Sequence, residues 1–117
     1  MASLKLDPAH QLIGAQCSGT LHLALLCLLG AFTASTDLTT KPWVLETGVG
    51  VLDQHFYAQG NVATAGGCFA SQYLAAWIIA RIEGQEAAKS AHHYVAPVGD
   101  KEEYVCRAMK NITPYLP

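Results

Sequence analysis

Cys17 is the residue in this sequence whose setting points most directly to chemistry. It follows a short apolar run, Leu12–Gln16, and precedes small polar residues and an apolar segment, Leu21–Leu29. This pattern predicts a buried strand, a tight turn that contains the cysteine, and a buried helix. Gly14 and Gly19 flank the cysteine, and a sharp corner between strand and helix needs such small neighbours.

A thiol at this corner would have the surroundings of an activated nucleophile. The first turn of a helix offers unpaired backbone N–H groups and the positive end of the helix dipole, and both favour thiolate over thiol. The N–H of Ser18 would point to where an oxyanion could form. The arrangement is that of a nucleophile elbow with sulfur in place of oxygen, although Ala15 replaces the usual glycine. The alternative is a structural cysteine buried in the turn, because free cysteine is among the most buried residue types.

A second turn of small residues, Gly66, Gly67 and Cys68, precedes another apolar helix. Open α/β sheets bind ligands at the carboxyl ends of their strands, so we expect this turn to line a substrate pocket. Cys68 is either a second thiol that faces the pocket or a packed small residue at a helix start, and we favour the packed residue. We expect Trp43 to form a pocket wall as well.

The histidines have simpler interpretations than catalysis or metal binding. We expect His22 to be a core histidine, because it lies on an apolar helix. His92 and His93 come near a helix end, where the dipole favours positive charge on histidine. His55 follows Asp53 closely, which is too weak a pairing to use. No cysteine or carboxylate has the spacing to complete a metal site, so we expect no metal and no cofactor.

Composition limits the class of protein. The 117 residues fit one domain, with 51% hydrophobic and only 14% charged residues against a typical ~25%. So little charge predicts that part of the surface is buried against something else. The net charge of −2, without a basic run, argues against nucleic acid as a partner. No stretch is long and apolar enough to predict a membrane span. The spacing of the four cysteines favours reduced thiols in a cytoplasmic protein.

Strand-like and helix-like segments alternate along the chain, which favours an α/β fold with a largely parallel sheet. We expect the cysteine-bearing corner to lead into a helix that Gly30 ends, and Gln59–Asn61 to be a hairpin turn. The helix after Cys68 has an apolar stripe that predicts its core face: Phe69, Tyr73, Leu74, Trp77, Ile78 and Ile82. The other predicted strands and helices are 32–36, 39–46, 49–52, 55–58, 61–64, 85–93 and 100–110.

Three segments in order resemble the ThiJ/PfpI superfamily, which is similar to class I glutamine amidotransferases. They are Gly14–Gly19 with its leucine-rich helix, Ala34–Asp37, and Asn61–Gly67 with its helix. The superfamily includes isonitrile hydratases, glyoxalase- or deglycase-type enzymes, intracellular peptidases and sensor domains of regulators. The resemblance implies a flavodoxin-like three-layer sandwich, a dimer, and Cys17 as the reactive group with the N–H of Ser18 at the oxyanion site.

Two departures from the family pattern bear on function. Asp37 stands where many relatives carry a histidine, and an aspartate cannot serve as a neutral imidazole base. We interpret Asp37 as either a group near Cys17 or a strand-end cap, and favour the cap. Relatives also place about half the sheet before the elbow, and that part supplies a carboxylate beside the thiol and a second oxyanion donor.

We therefore expect residues 1–117 to be a single truncated domain, the carboxyl-terminal portion of the fold with its N-terminal strands missing. Losing those strands would expose an unpaired hydrophobic sheet edge. We therefore expect either a homodimer or association with the missing N-terminal half.

The resemblance predicts attack of Cys17 on a small electrophile, such as an isonitrile, an aldehyde or an amide carbonyl. We expect little or no activity from this chain, because a nucleophile without its acid–base partner loses typically 10²–10⁴-fold in rate. One alternative is a non-catalytic ligand-binding or sensor module of the same fold. The other is an inactive gene remnant.

Overall fold

The computed structural model describes residues 5–30 and 33–117. Within them the chain forms five strands and five α-helices, and strands and helices alternate only as far as the third strand, after which two further strands and then three helices follow. In chain order these are β1 (Ile13–Gln16), α1 (Gly19–Leu25), β2 (Thr33–Ala34), α2 (Lys41–Glu46), β3 (Gly50–Val51), β4 (Phe56–Gln59), β5 (Val62–Ala65), α3 (Ser71–Glu83), α4 (Gln85–Val95) and α5 (Lys101–Ile112). Short 3₁₀ turns at Cys68–Ala70 and Thr113–Tyr115 precede α3 and follow α5.

The strands form two small sheets with both parallel and antiparallel pairs. The larger sheet has the order β1-β5-β4, in which β1 pairs with β5 in parallel and β4 pairs with β5 antiparallel. The predicted hairpin is confirmed: β4 and β5 are joined through Gly60, whose φ of 60° suits a glycine in a tight turn. β2 and β3 form a parallel pair. The predicted strand 32–36 begins at Phe32, which lies outside the described residues.

Side-chain alternation along the strands divides the core into two apolar layers. Ile13, Ala15 and Val62 face one side and pack with residues of α1 and α2. Ala63 and Ala65 face the other side and pack with α3 and α5. Helices therefore cover both faces of the sheet, and the predicted three-layer α/β sandwich is confirmed.

The first helix is shorter and more exposed than predicted. α1 ends at Leu25, four residues before the predicted end, and Cys27 adopts a positive φ of 59° that a continuing helix does not allow. His22 is exposed and Leu25 is 64% exposed. The prediction of a core histidine at His22 is therefore wrong, because no described element covers that face of α1.

The predicted apolar stripe is correct in the middle of α3 and wrong at both ends. Tyr73 and Trp77 are buried, and the Trp77 indole Nε1–H donates to the carbonyl of Tyr115 (3.2 Å). Phe69 is 93% exposed and Ile82 is 64% exposed. Phe69 lies in the 3₁₀ turn, so the helical period does not extend to it, and Ile82 lies in the last turn, beside the free edge of β1.

Candidate functional site

Cys17 occupies the turn between β1 and α1, as the strand–turn–helix prediction requires. Its φ is +51°, a left-handed conformation that costs a non-glycine residue roughly 1–2 kcal/mol. Two backbone hydrogen bonds hold the turn. The N–H of Cys17 donates to the carbonyl of Ala65 (2.8 Å), and the N–H of Thr20 donates to the carbonyl of Cys17 (3.0 Å). The side chain is only half-buried, so the sulfur lies neither within a helix nor sealed in the core.

The closest polar neighbour of the sulfur is the amide of Gln16. Its Nε2 donates to Cys17 Sγ (3.3 Å) and to the carbonyl of Gly67 (2.7 Å). The Gln16 Oε1 atom is buried without a hydrogen-bond partner among the described residues. Gln16 therefore contacts the sulfur directly and links it to the second small-residue turn.

The backbone after the cysteine offers a further donor. The N–H groups of Thr20 and Leu21 bond to the carbonyls of Cys17 and Ser18. The N–H of Ser18 has no acceptor within residues 5–30 and 33–117. Its role as an oxyanion donor stays a prediction. α1 has only seven residues and no side-chain cap, so we base no further argument on its dipole.

Asp37 caps the turn that leads into α2. Its Oδ2 accepts from the N–H of Thr40 (3.2 Å), and its Oδ1 accepts from the hydroxyl of Thr36 (3.3 Å). Hydrogen bonding by the Thr40 side chain, aided by these two donors, holds the pKa of the Asp37 carboxyl below its ordinary value. A carboxylate that is harder to protonate is a poorer general base. The observed contacts therefore agree with the favoured interpretation of Asp37 as a cap.

Thr36 connects Asp37 to the turn that contains Cys17. Its single hydroxyl proton is shared between Asp37 Oδ1 and the carbonyl oxygen of Cys17, which lies closer to Oγ1 (2.9 Å). The sequence interpretation missed both Thr36 and Gln16, although both lie inside the segments it used. Side chains alternate along β1, so Gln16 lies on the same face as Gly14, towards α3 and the second turn. This alternation is the sequence feature from which the position of Gln16 could have been predicted.

Replacing the Asp37 carboxylate should have a pH-dependent effect on stability. We expect Asp37→Asn, which keeps a capping oxygen and removes the negative charge, to lower the free energy of unfolding at pH 7 by about 0.5 kcal/mol, the typical effect of such a charge near a helix N-terminus. The folded-state pKa of Asp37 is depressed, so its contribution is full above the unfolded value of ~3.9 and is lost as pH falls through the folded value. Urea unfolding at pH 7 and at pH 3 measures this. A difference between wild type and variant that stays constant across this range would contradict the assignment.

The second turn lies against the segment that follows β2. A Cβ atom added to Gly66 would lie 2.3 Å from the carbonyl oxygen of Thr36, so only glycine fits. Gly67 has a φ of +88° and accepts the hydrogen bond from Gln16. Cys68 is exposed, which makes the favoured interpretation of a packed residue wrong. It is exposed because it opens a 3₁₀ turn on the surface rather than a buried helix.

Gly66, Gly67 and Cys68 line a cavity of about 600 Å³, and binding of a substrate there stays a prediction. A smaller cavity of about 270 Å³ lies on the other side of Gly66, beside Thr36. His55 lines both cavities, and its ring stacks near Tyr73 with the ring centroids 5.9 Å apart. Sequence reasoning set His55 aside, because only the fold brings β4 to the second turn. Neither cavity is lined by Trp43, which is 59% exposed on α2.

His92 differs from the expectation of a charged helix-end histidine. It is buried, and its Nε2 lies 2.8 Å from Oε1 of Gln72 on α3. Burial lowers the pKa of the His92 imidazole, so the neutral ring is favoured over the charged one. Desolvation thus outweighs the helix dipole here. The pair joins α4 to α3 and has no contact with the Cys17 turn in the structure.

The described residues contain no cluster of three or more potential metal ligands. All four cysteines are free thiols. Among the helices of residues 5–30 and 33–117, none has the length and apolar character needed to cross a bilayer.

The fold of this chain is similar to that of several solved structures. The chain matches the crystal structure of a ThiJ/PfpI family protein from Pseudomonas syringae with a TM-score of 0.62 and 17% sequence identity. The match covers 86% of this chain and 48% of that one. DJ-1 from Schizosaccharomyces pombe matches with a TM-score of 0.47 and 20% identity, over 90% of this chain and 45% of that one. No protein-family model and no curated protein matches the chain.

The match to the Pseudomonas syringae protein shows that the chain has the flavodoxin-like fold of that ThiJ/PfpI protein. It confirms the fold that the sequence resemblance implies. The chain spans about half the length of the structure it matches, in agreement with the expectation that it corresponds to a portion of the family fold.

Proposed function

We propose that this chain is a ThiJ/PfpI-type domain in which Cys17 is a nucleophile towards a small electrophile. The single observation that carries the proposal is the positive φ of Cys17 at a strand-to-helix corner. Strained non-glycine residues persist only where the surrounding structure holds them, and they cluster at active sites. The corner leaves the sulfur half-buried beside one observed hydrogen-bond donor, the Gln16 amide, and we propose the N–H of Ser18 as a second.

The chemistry follows from these groups. The thiolate of Cys17 attacks the electrophilic carbon of an isonitrile, an aldehyde or an amide carbonyl, and a C–S bond forms. One electron pair of the carbon's multiple bond moves onto the atom bonded to that carbon, which is nitrogen in an isonitrile and oxygen in an aldehyde or an amide. The Ser18 N–H is the proposed donor to the negative charge that develops on this atom. The proton of the thiol leaves to solvent, because no described imidazole or carboxylate contacts the sulfur. For an amide, the amine then leaves with a proton from solvent. Turnover of the isonitrile or amide adduct further requires water to attack its carbon, so that the C–S bond breaks and its electron pair returns to sulfur. Without a general base these steps are slow, so we propose weak turnover by this chain.

Selective alkylation tests the nucleophile directly. We expect iodoacetamide at pH 7 to modify Cys17 at least about tenfold faster than Cys27, Cys68 or Cys106, measured by peptide mass spectrometry over time. The comparison is internal to one protein. The other three cysteines are exposed and Cys17 is only half-buried, so access alone would give the opposite order. Cys17 reacting no faster than the other three would overturn the proposal.

A panel of small electrophiles then identifies the reaction. Isonitrile, aldehyde and amide substrates are incubated with wild type and with Cys17→Ser, and product is followed by NMR. Turnover that Cys17→Ser abolishes, while Cys68→Ser retains it, supports catalysis at Cys17.

A non-catalytic ligand-binding module is the second candidate. It is favoured by the cavity of about 600 Å³, which Cys17 does not line, and by the lack of an imidazole at the sulfur. A binding module raises its melting temperature with ligand equally in wild type and in Cys17→Ser, without product. The same substrate panel therefore separates the two functions.

A further inference from the structure

The cavity of about 600 Å³ at the second turn combines aromatic walls with one charged side chain. This volume lies within the roughly 300–1,000 Å³ that is typical of small-molecule sites. Phe69, Tyr73 and Tyr104 belong to its walls, and Arg107 of α5 lines it as well. None of the other described lining residues is Asp, Glu, Lys or Arg. The cavity therefore has an apolar part and a single fixed positive charge.

The guanidinium of Arg107 is oriented by its own helix and keeps donors for a ligand. Its Nη2 donates to Oε1 of Glu103 one helical turn earlier (2.7 Å), and its central carbon lies 5.5 Å from the centre of the Tyr104 ring. A guanidinium has five N–H donors. Apart from the bond to Glu103, those of Arg107 have no acceptor within residues 5–30 and 33–117. These remaining donors are available to an anion.

Phe69 is an apolar side chain at this cavity that the fold leaves uncovered. It is 93% exposed although it lines the cavity. The turn that carries it is anchored, because Gln72 Nε2 donates to the carbonyl of Phe69 (2.9 Å) and Gln72 Oε1 lies 2.8 Å from Nε2 of the buried His92. Small-molecule sites pair aromatic walls with a few polar groups. An apolar ligand body in the cavity would cover the Phe69 ring.

We infer that this cavity binds a small aromatic monocarboxylate, with its carboxylate on Arg107 and its ring against Phe69 and Tyr104. The planar guanidinium matches a carboxylate through two parallel hydrogen bonds. One cationic side chain balances a singly charged carboxylate better than a doubly charged phosphate. The inference rests on the second candidate function, the ligand-binding module, and names its ligand class. It does not depend on attack by Cys17, which does not line the cavity.

Titration with benzoate, followed by protein NMR, tests both ends of the site. We expect benzoate to bind, and its dissociation constant to be at least about tenfold weaker for Arg107→Met. Lys110→Met is the matched control, because Lys110 is an exposed cation on the same helix that does not line the cavity. We expect it to bind benzoate as wild type does. Benzamide keeps the ring without the charge and acetate keeps the charge without the ring, so both should bind at least about tenfold more weakly than benzoate.

Glu103 provides a test that a merely structural arginine would not pass. Glu103 occupies one donor of Arg107 and repels a second carboxylate, so we expect Glu103→Gln to tighten benzoate binding by about threefold. Glu102→Gln is the control: it removes the same charge one position away, and Glu102 pairs with His93 (3.3 Å). We expect Glu102→Gln to leave the dissociation constant unchanged. An equal effect of the two variants would reduce the result to net charge and contradict the assignment of Arg107.

Labelling of Cys68 locates the ligand within the cavity. Cys68 lines the cavity, whereas the exposed thiols of Cys27 and Cys106 do not. We expect saturating benzoate to slow the iodoacetamide labelling of Cys68 at least about fivefold and to leave Cys27 and Cys106 unchanged. Cys17→Ser should bind benzoate with the wild-type dissociation constant, which separates this site from the proposed nucleophile.

Four outcomes would overturn the inference. Benzoate that does not bind wild type is one, and benzoate that binds without protecting Cys68 is another. The third is benzamide or phenyl phosphate binding as tightly as benzoate, and the fourth is wild-type affinity in Arg107→Met. The measurements on Cys68 and Glu103 do not require Arg107→Met to fold.

Discussion

Gly66→Ala is expected to lower the free energy of unfolding by about 3 kcal/mol, a large fraction of the roughly 5–15 kcal/mol that keeps a typical domain folded. The added methyl group would lie 2.3 Å from the carbonyl oxygen of Thr36 and 2.9 Å from its nitrogen. Both atoms belong to the backbone, so no side chain can rotate away to make room. Thr36 is also held by its hydrogen bond to the carbonyl of Cys17, so a shift of this segment disturbs the turn that contains Cys17. Urea unfolding followed by circular dichroism measures the loss.

Gly60→Ala separates steric overlap from backbone strain. Gly60 has a φ of +60° but open space around its missing side chain, so an alanine there should cost only about 1 kcal/mol. Equal losses in the free energy of unfolding for Gly66→Ala and Gly60→Ala would contradict the prediction. They would mean that the close approach of Gly66 to Thr36 does not exclude a larger residue at position 66.

Gln16→Met is expected to slow the alkylation of Cys17 by about tenfold while leaving Cys27, Cys68 and Cys106 unchanged. Methionine keeps the length of the side chain and removes the amide donor at 3.3 Å from the sulfur. A hydrogen bond to a charged group contributes about 1.5–3 kcal/mol, and about 1.4 kcal/mol corresponds to a factor of ten in rate. The rates come from iodoacetamide labelling at pH 7 with peptide mass spectrometry.

Gln59→Met is the control for the loss of a glutamine amide, since Gln59 is exposed on β4 and distant from the sulfur in the sequence. Unchanged labelling of Cys17 in Gln16→Met would show that the amide does not contribute to the reactivity of Cys17. Slower labelling of every cysteine would instead report a general loss of structure.

The sequence predicted the parts of the fold that depend on local pattern. The corner at Cys17 follows from an apolar run, small residues and a second apolar run, and the hairpin follows from glycine next to asparagine. The ends of helices were less accessible. α1 ends early because Cys27 takes a left-handed conformation. None of the residue types next to Cys27 predicts a helix end at this point. The exposure of His22 and Phe69 depends on which other elements of the fold cover them. The spacing of apolar residues along the chain carries no information about that.

The position of Cys17 between strand and helix was predictable from the sequence, and its neighbours in the fold were not. Gln16 reaches the sulfur because it also spans to Gly67, more than fifty positions later in the chain. His55 lines the cavities because β4 turns back along β5. Both relations are tertiary. Asp37 could be interpreted as a cap because its partner Thr40 is only three positions away.

The parallel pairing of β1 with β5 sets the order in which the chain can fold. The hairpin of β4 and β5 closes over a tight turn and can form within microseconds. The pairing of Ile13 with Val62 instead requires the whole segment between them to close into a loop. Closing that long loop costs entropy that only the completed strand pair returns. We therefore expect the hairpin with α3 to be structured in the folding transition state and the Cys17 corner to assemble last. The reactive thiol would then report, by its labelling rate, on the final step of folding.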